Sequence, residues 1–275
     1  MKGNQMKQKT AGKRIRLLAG LALLTASVSV PAGQVLAASG EIPVGPGWPQ
    51  TETVSETDTG KKTADGGQTA GGTDDISGQL PFSDGIPEWL TEDVNDVIVV
   101  DVRNPESSQA SVTYYEKKEN WETVFSVPGL VGKAGIADPS EKKEGDKKTP
   151  AGIYGFSMAF GILEDPGSRM GYHLVKTGDV WVDDAGSVYY NRLANGREVE
   201  EDWSSAENLA AMAPWYDYAL ALDYNEEQIP GKGSAIFLHC MKEGDTYTSG
   251  CISIPEESMA LVLRNVDENA RIVIR

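Results

Sequence analysis

The sequence predicts a mainly β domain with one or two short helices, and three observations carry that expectation. β-branched and aromatic residues gather in short runs, as strands require. Pro and Gly punctuate those runs at close intervals, which suits an all-β or mostly β architecture. Only two stretches show helical spacing.

Asn95 to Val102 comes first, a β-branched run that suits a buried strand. Ala110 to Tyr115 and Trp121 to Val127 follow, with Lys117-Lys118-Glu119-Asn120 turning between them. Further strand-like stretches are His173 to Lys176, Val180 to Asp183, Ala219 to Leu222 and Ala235 to Cys240, and Arg271 to Arg275 closes the chain. Glu207 to Ala213 reads as a short helix that stops before Pro214. Pro255 to Val266 reads as a second, with Met259, Val262 and Val266 on one face. Ser253 and Glu256 have capping-box spacing, while Pro255 favours the first helical position. Either start places helix N-terminal amides near Cys251.

These elements lie in a folded domain expected over residues 88–275. Residues 39–87 are rich in Gly, Thr, Ser, Asp and Pro and show no periodicity, so they predict a flexible linker. Residues 1–38 predict a signal peptide: a basic stretch up to Arg16, the apolar run Leu17 to Leu24, and a small-x-small site at Val35-Leu36-Ala37. An uncleaved anchor is the alternative for this segment. The expected location is secreted and extracytoplasmic, with no stable membrane span after cleavage, because no later stretch is long and apolar enough.

Charge narrows the partners. Six of the 25 basic residues lie in the first 37 positions, where no acidic residue occurs. The rest of the chain carries 19 basic residues against 41 acidic ones, a net charge of −22. Such a chain repels phosphate backbones, so nucleic acid is excluded as a natural partner.

The chain has two cysteines, Cys240 and Cys251. A single bridge and a working nucleophile are the two readings. Alternation along a strand turns Cys240 away from the side that His239 faces, which argues against a bridge. A nucleophilic thiol needs its pKa lowered, and an imidazole or a helix N-terminus does that. Gly250 permits unusual backbone torsions beside Cys251, so the amides of Gly250 and Cys251 are oxyanion-donor candidates. Residue counting alone leaves a bland explanation open, since a buried cysteine is commonly a small apolar filler.

His239, a loop, then Thr248-Ser249-Gly250-Cys251-Ile252 resembles the signature of the YkuD-type L,D-transpeptidases. The segment around Thr149-Pro150-Ala151-Gly152 looks like that family's entry segment, and Trp181-Val182-Asp183-Asp184 with Tyr189-Tyr190-Asn191 resembles elements of one branch. The likeness runs roughly from Asn95 to Arg275. It implies a mixed β-sheet sandwich, with Cys251 as nucleophile and His239 as base. It further implies peptidoglycan stem peptides as partners in the cell wall, 3→3 cross-links as product, acylation by carbapenem-type inhibitors, and no cofactor. Three departures stand out. Cys240 follows His239 where Gly or Ser is common, the His-to-Cys spacing is 12 residues, and Ser253 stands where many members carry Arg.

Two rivals remain: an L,D-carboxypeptidase or other wall-peptide hydrolase using the same site, and a non-catalytic wall-binding module. Thr248 and Ser249 are either orienting groups or ordinary turn residues. Asp183, Tyr190, Asn191 and Ser253 are substrate-binding candidates, with turn capping as the alternative for the first three. His173 reads equally as a sheet residue. Two histidines and one free thiol make a poor zinc site, so no metal is expected.

Overall fold

A computed structural model describes Leu90 and residues 94–275 of the chain. The expected signal peptide (1–38) and linker (39–87) lie outside the described residues. Among the described residues no helix is long and apolar enough to cross a membrane.

The architecture is mainly β. The chain opens with β1 (Asp96–Asp101), β2 (Gln109–Lys117) and β3 (Trp121–Leu130), a meander whose first strand is almost wholly buried. Short strands β4 (Ile136–Ala137), β5 (Thr149–Pro150) and β6 (Gly152–Tyr154) lead into β7 (Phe156–Gly161) and β8 (Tyr172–Leu174). Then come β9 (Asp179–Val182), β10 (Leu193–Asn195) and β11 (Ala206–Asn208), followed by a 3-10 turn, Leu209–Ala211. The last part holds β12 (Ala219–Leu222), β13 (Phe237–Cys240), β14 (Ile252–Ile254), α1 (Glu256–Asn265) and β15 (Arg271–Ile274).

Ten strands form one mixed sheet in the order β6-β15-β1-β2-β3-β14-β13-β12-β7-β8. The pairs β1/β15, β13/β14 and β7/β8 are parallel, and the remaining neighbours are antiparallel. A small sheet of order β10-β9-β11 stands apart from it.

Alternation along the central strands divides the core. Leu238 and Cys240 of β13, with Leu220 and Leu222 of β12, pack with Met259, Val262 and Leu263 of α1. Phe237 of β13, with Ala219 and Ala221 of β12, packs instead with Trp181 of β9, Leu209, Tyr216 and Cys251. A strand that meets apolar layers on both sides has no polar face, which explains why β12 and β13 read as unbroken hydrophobic runs. Each fully buried large side chain here contributes roughly 1.5–3 kcal/mol.

Two sequence expectations are corrected. Glu207 to Ala213 is not a helix: Ala206–Asn208 pairs antiparallel with β9, and only a single 3-10 turn follows. Tertiary pairing overrides the local helix preference of that stretch. The helix after Cys251 begins at Glu256, with Pro255 as N-cap and no side-chain capping bond. Ser253 lies in β14 rather than in a capping box. Three residues of strand separate Cys251 from the cap at Pro255, four steps or about 13 Å at the usual rise, so the helix N-terminus does not sit on the sulfur.

Candidate active site

Three elements bring the site together. β13 carries His239, the turn before β14 carries Cys251, and the segment after the 3-10 turn carries Tyr216. A cavity of about 410 Å3 is lined by His239, Cys251, Thr248 and Ser249, and also by Glu207, Tyr216, Trp215 and Asp245. Of the residues singled out in the sequence, His239, Cys251, Thr248 and Ser249 line it, while Gly250, Asp183, Tyr190, Asn191 and Ser253 do not.

The backbone of Cys251 is held from two sides. Thr248 Oγ1 donates to the Cys251 carbonyl at 2.6 Å and accepts the Gly250 N–H at 3.1 Å. Thr149 Oγ1 donates to the same carbonyl at 3.2 Å and accepts the Gly132 N–H at 2.9 Å. The Gly250 N–H is therefore already engaged, rather than aimed at a reacting oxygen. Gly250 has φ +150°, and a Cβ there would stand 3.1 Å from the Lys148 carbonyl oxygen, so a glycine is required at this turn.

His239 is 6 % exposed, and its Nδ1 meets the Cys240 carbonyl at 2.8 Å. A carbonyl only accepts, so Nδ1 carries the proton and Nε2 is the basic nitrogen. Burial pulls the imidazole down to about 4, against smaller opposing effects of that hydrogen bond and of Asp245. The Tyr216 ring packs edge-on against the imidazole, with centroids 5.4 Å apart.

The Cys251 thiol donates to the Ala235 carbonyl at 3.1 Å. Burial pushes it up to about 12, the charge on Glu207 adds to the rise, and the Phe237 backbone and the nearby Tyr216 hydroxyl work against it. The resting pair is thus a neutral thiol and a neutral imidazole. This reverses the expectation of a lowered thiol pKa, because desolvation of both groups outweighs the neighbouring donors and the helix N-terminus is too far away. Cys240 lies on the other side of the sheet, its thiol directed to the Tyr218 carbonyl at 3.5 Å. Both cysteines are free thiols.

Of the cavity residues that escaped the sequence reading, Glu207 and Tyr216 act on the thiol. Tyr216 donates its hydroxyl proton to Glu207 Oε2 at 2.5 Å, and the same hydroxyl reaches the Cys251 sulfur. Burial first, then the charge on neighbouring Asp183 and Glu144, raises the Glu207 carboxyl, against the lowering effect of the Tyr216 bond. No local motif marks either residue. The one available signal was a carboxylate in a stretch with weak helical patterning.

The Trp181 to Asn191 block braces the site from behind. Asn191 accepts hydrogen bonds from Trp181 Nε1 and from the Ala235 N–H, both at 3.0 Å. Its amide donates to the carbonyls of Tyr224 and Asn225 at 3.1 and 3.0 Å. Ala235 is the residue whose carbonyl receives the thiol. Tyr190 donates to Glu144 and accepts from the Gly233 N–H. Asp184 is held down to about 2 by hydrogen bonds from Ser204 and Gly186. Among the described residues the buried Asp183 Oδ1 and Ser253 Oγ have no hydrogen-bond partner, and Ser253 pairs in register with His239. His173 bonds Asp179 at 2.8 Å, outside the cavity lining. Among the described residues no three of His, Cys, Asp and Glu gather as metal ligands.

Residues 95–274 match the family described as YkuD, L,D-transpeptidase catalytic domain. No curated protein sequence matches the chain. Among solved structures, an L,D-transpeptidase from Mycobacterium smegmatis aligns at 13% identity and TM-score 0.31, over 66% of this chain and 59% of that one. A cysteine-to-serine mutant of Enterococcus faecium L,D-transpeptidase aligns at 12% identity and TM-score 0.31, over 67% and 50%. The Ldtfm–avibactam carbamoyl enzyme gives 12% and 0.31, over 67% and 49%. The chain spans about half the length of these structures.

Proposed function

Because the chain belongs to the YkuD family of L,D-transpeptidase catalytic domains, we propose that it forms 3→3 cross-links between peptidoglycan stem peptides through an acyl-enzyme on Cys251. The observation that carries this reading is the shared cavity: His239 and Cys251 both line one space of about 410 Å3.

The proposed cycle follows from the protonation states. The resting thiol is unreactive until a donor peptide displaces it from the Ala235 carbonyl. His239 Nε2 then takes the thiol proton as sulfur attacks the carbonyl of the donor's third residue. The Cys251 amide is the donor offered to the oxyanion, since the one Tyr216 hydroxyl proton is held by Glu207. Protonated His239 delivers its proton to the departing D-alanine, leaving a thioester. A side-chain amine of a second stem resolves the thioester, and water in its place gives an L,D-carboxypeptidase. Burial holds His239 well below its ordinary value, so the imidazole is unprotonated at neutral pH and free to accept a proton.

The test is intact-protein mass spectrometry of the full chain after incubation with a carbapenem. One stable adduct is expected, and it is lost in Cys251→Ala. Absence of any adduct on the wild-type protein would move the assignment to a non-catalytic wall-binding module. Product analysis with and without an amine acceptor separates transfer from hydrolysis.

A further inference from the structure

The cavity has an acidic bias that the acyl-transfer cycle does not use. Its charged lining residues are Glu207 and Asp245, with neither Lys nor Arg among them. Asp245 is committed, since its Oδ2 accepts from Trp215 Nε1 at 2.7 Å and from the Lys242 N–H at 3.0 Å. Glu207 is different. Tyr216 occupies its Oε2, and among the described residues no hydrogen bond reaches its Oε1. A single hydroxyl group stands between this carboxylate and the Cys251 sulfur.

A negative charge beside a nucleophilic thiol opposes thiolate formation. Its presence therefore works against the first half of the reaction and calls for a role in the second. The second half has a need that a carboxylate meets. An alkyl amine is an ammonium ion at neutral pH, and an ammonium ion has no lone pair with which to attack a thioester.

We propose that Glu207 is the acceptor-amine site of this cavity: its carboxylate receives the ammonium group of the acceptor and takes one proton from it, so that a neutral amine attacks the Cys251 thioester. The proposal rests on the acyl-enzyme proposed for Cys251. The protons balance in two steps. First, R–NH3+ and the Glu207 carboxylate become R–NH2 and a neutral carboxylic acid. Then the amine nitrogen bonds to the thioester carbon, the C–S bond breaks, and the second nitrogen proton passes through His239 Nε2 to the departing sulfur. Glu207 returns its proton to solvent. The carboxyl group is thus neutral at the moment the sulfur leaves with its electron pair, which removes the charge that would oppose departure. Burial, which raises the Glu207 carboxyl, equips it to hold that proton. Water and other uncharged nucleophiles need no such docking.

Glu207→Gln tests this, because an amide still accepts the Tyr216 hydroxyl but carries no charge and takes no proton. The full-length wild-type and variant proteins are given a donor tetrapeptide ending in D-alanine. Each is offered either Nα-acetyl-lysinamide, charged at neutral pH, or hydroxylamine, which is not. The ratio of aminolysis to hydrolysis products is read by mass spectrometry in the same tube, and the thermal midpoint confirms folding. In the variant the ratio with Nα-acetyl-lysinamide should fall about tenfold or more, the scale of one lost charge-assisted contact. The ratio with hydroxylamine should move by less than about twofold. Equal losses with both nucleophiles would make Glu207 a structural prop, and no loss with the lysine amide would remove it from amine recognition; either result overturns the proposal. A wild-type protein that forms no acyl-enzyme refutes the functional reading itself and takes this proposal with it.

Discussion

Replacing Asn191 offers a quantitative check on how the wall behind the thiol is built. All four of its side-chain hydrogen-bonding positions are filled: two N–H groups point at Oδ1 and two carbonyls accept from Nδ2. Removing the amide in Asn191→Ala leaves the Trp181 indole N–H and the Ala235 N–H without their acceptor. A net loss near 1 kcal/mol per bond, discounted because the residue is only half-buried, gives about 3 kcal/mol. The backbone adds to this, since Asn191 sits at φ +55°, where asparagine is tolerated and alanine is not. The total for Asn191→Ala is about 4 kcal/mol, and Asn191→Gly should recover roughly 1 kcal/mol of it. Urea unfolding measures both variants at constant m-value, and the corresponding fall in thermal midpoint is about 10 °C for a domain of this size. The folded variants should also react faster with iodoacetamide at Cys251, because the Ala235 carbonyl that holds the thiol loses its brace. An Asn191→Ala protein within about 1 kcal/mol of wild type would refute the four-bond account. Equal stabilities for the alanine and glycine variants would refute the backbone part.

Gly250→Ala should destabilise by about 1–3 kcal/mol and abolish carbapenem acylation, since the new Cβ would meet the Lys148 carbonyl oxygen at 3.1 Å; a fully acylated, stable variant would disprove the strain. The His239 pKa of about 4 lies below the ordinary 6.5, so the unfolded chain binds a proton more readily. Stability linked to this group is complete above about pH 6.5 and is lost as pH falls towards 4, by about 3 kcal/mol in all. Chemical denaturation across that window should show the slope in wild type, and His239→Gln should flatten it. Cys240→Ala should keep its single carbapenem adduct and lose about 1 kcal/mol of stability from the lost sulfur contacts; an adduct that vanishes with Cys240 would place the reactive thiol on the wrong side of the sheet.

Much of the fold was legible because its strands are buried in ways that leave plain marks. β1 reads as Val-Ile-Val-Val since apolar layers meet it on both faces, and Ala219–Leu222 agrees with the structure at both ends. Strand alternation also separated Cys240 from His239 without any coordinates. Short strands carry no such pattern: β11 owes its existence to pairing with β9, and its residues taken alone favour a helix. Of the candidate site, the residues that stand next to one another in the chain were visible. Glu207 and Tyr216 reach the cavity through tertiary packing, and no spacing announces them. The direction of the thiol shift was also hidden, because it depends on how deeply Cys251 and His239 are desolvated, and a motif does not record depth.

That depth has a chemical consequence for the durability of the protein. The thiolate form of cysteine is the one that attacks peroxides and disulfides. Burial, which pushes Cys251 up to about 12, keeps its resting thiolate population very small. The other cysteine faces the opposite side of the sheet, so an oxidised Cys251 would have no second thiol in the molecule to rescue it. A sulfur kept protonated and covered until a peptide arrives is a sulfur in long-term storage, and between turnovers the cavity serves as its preservative.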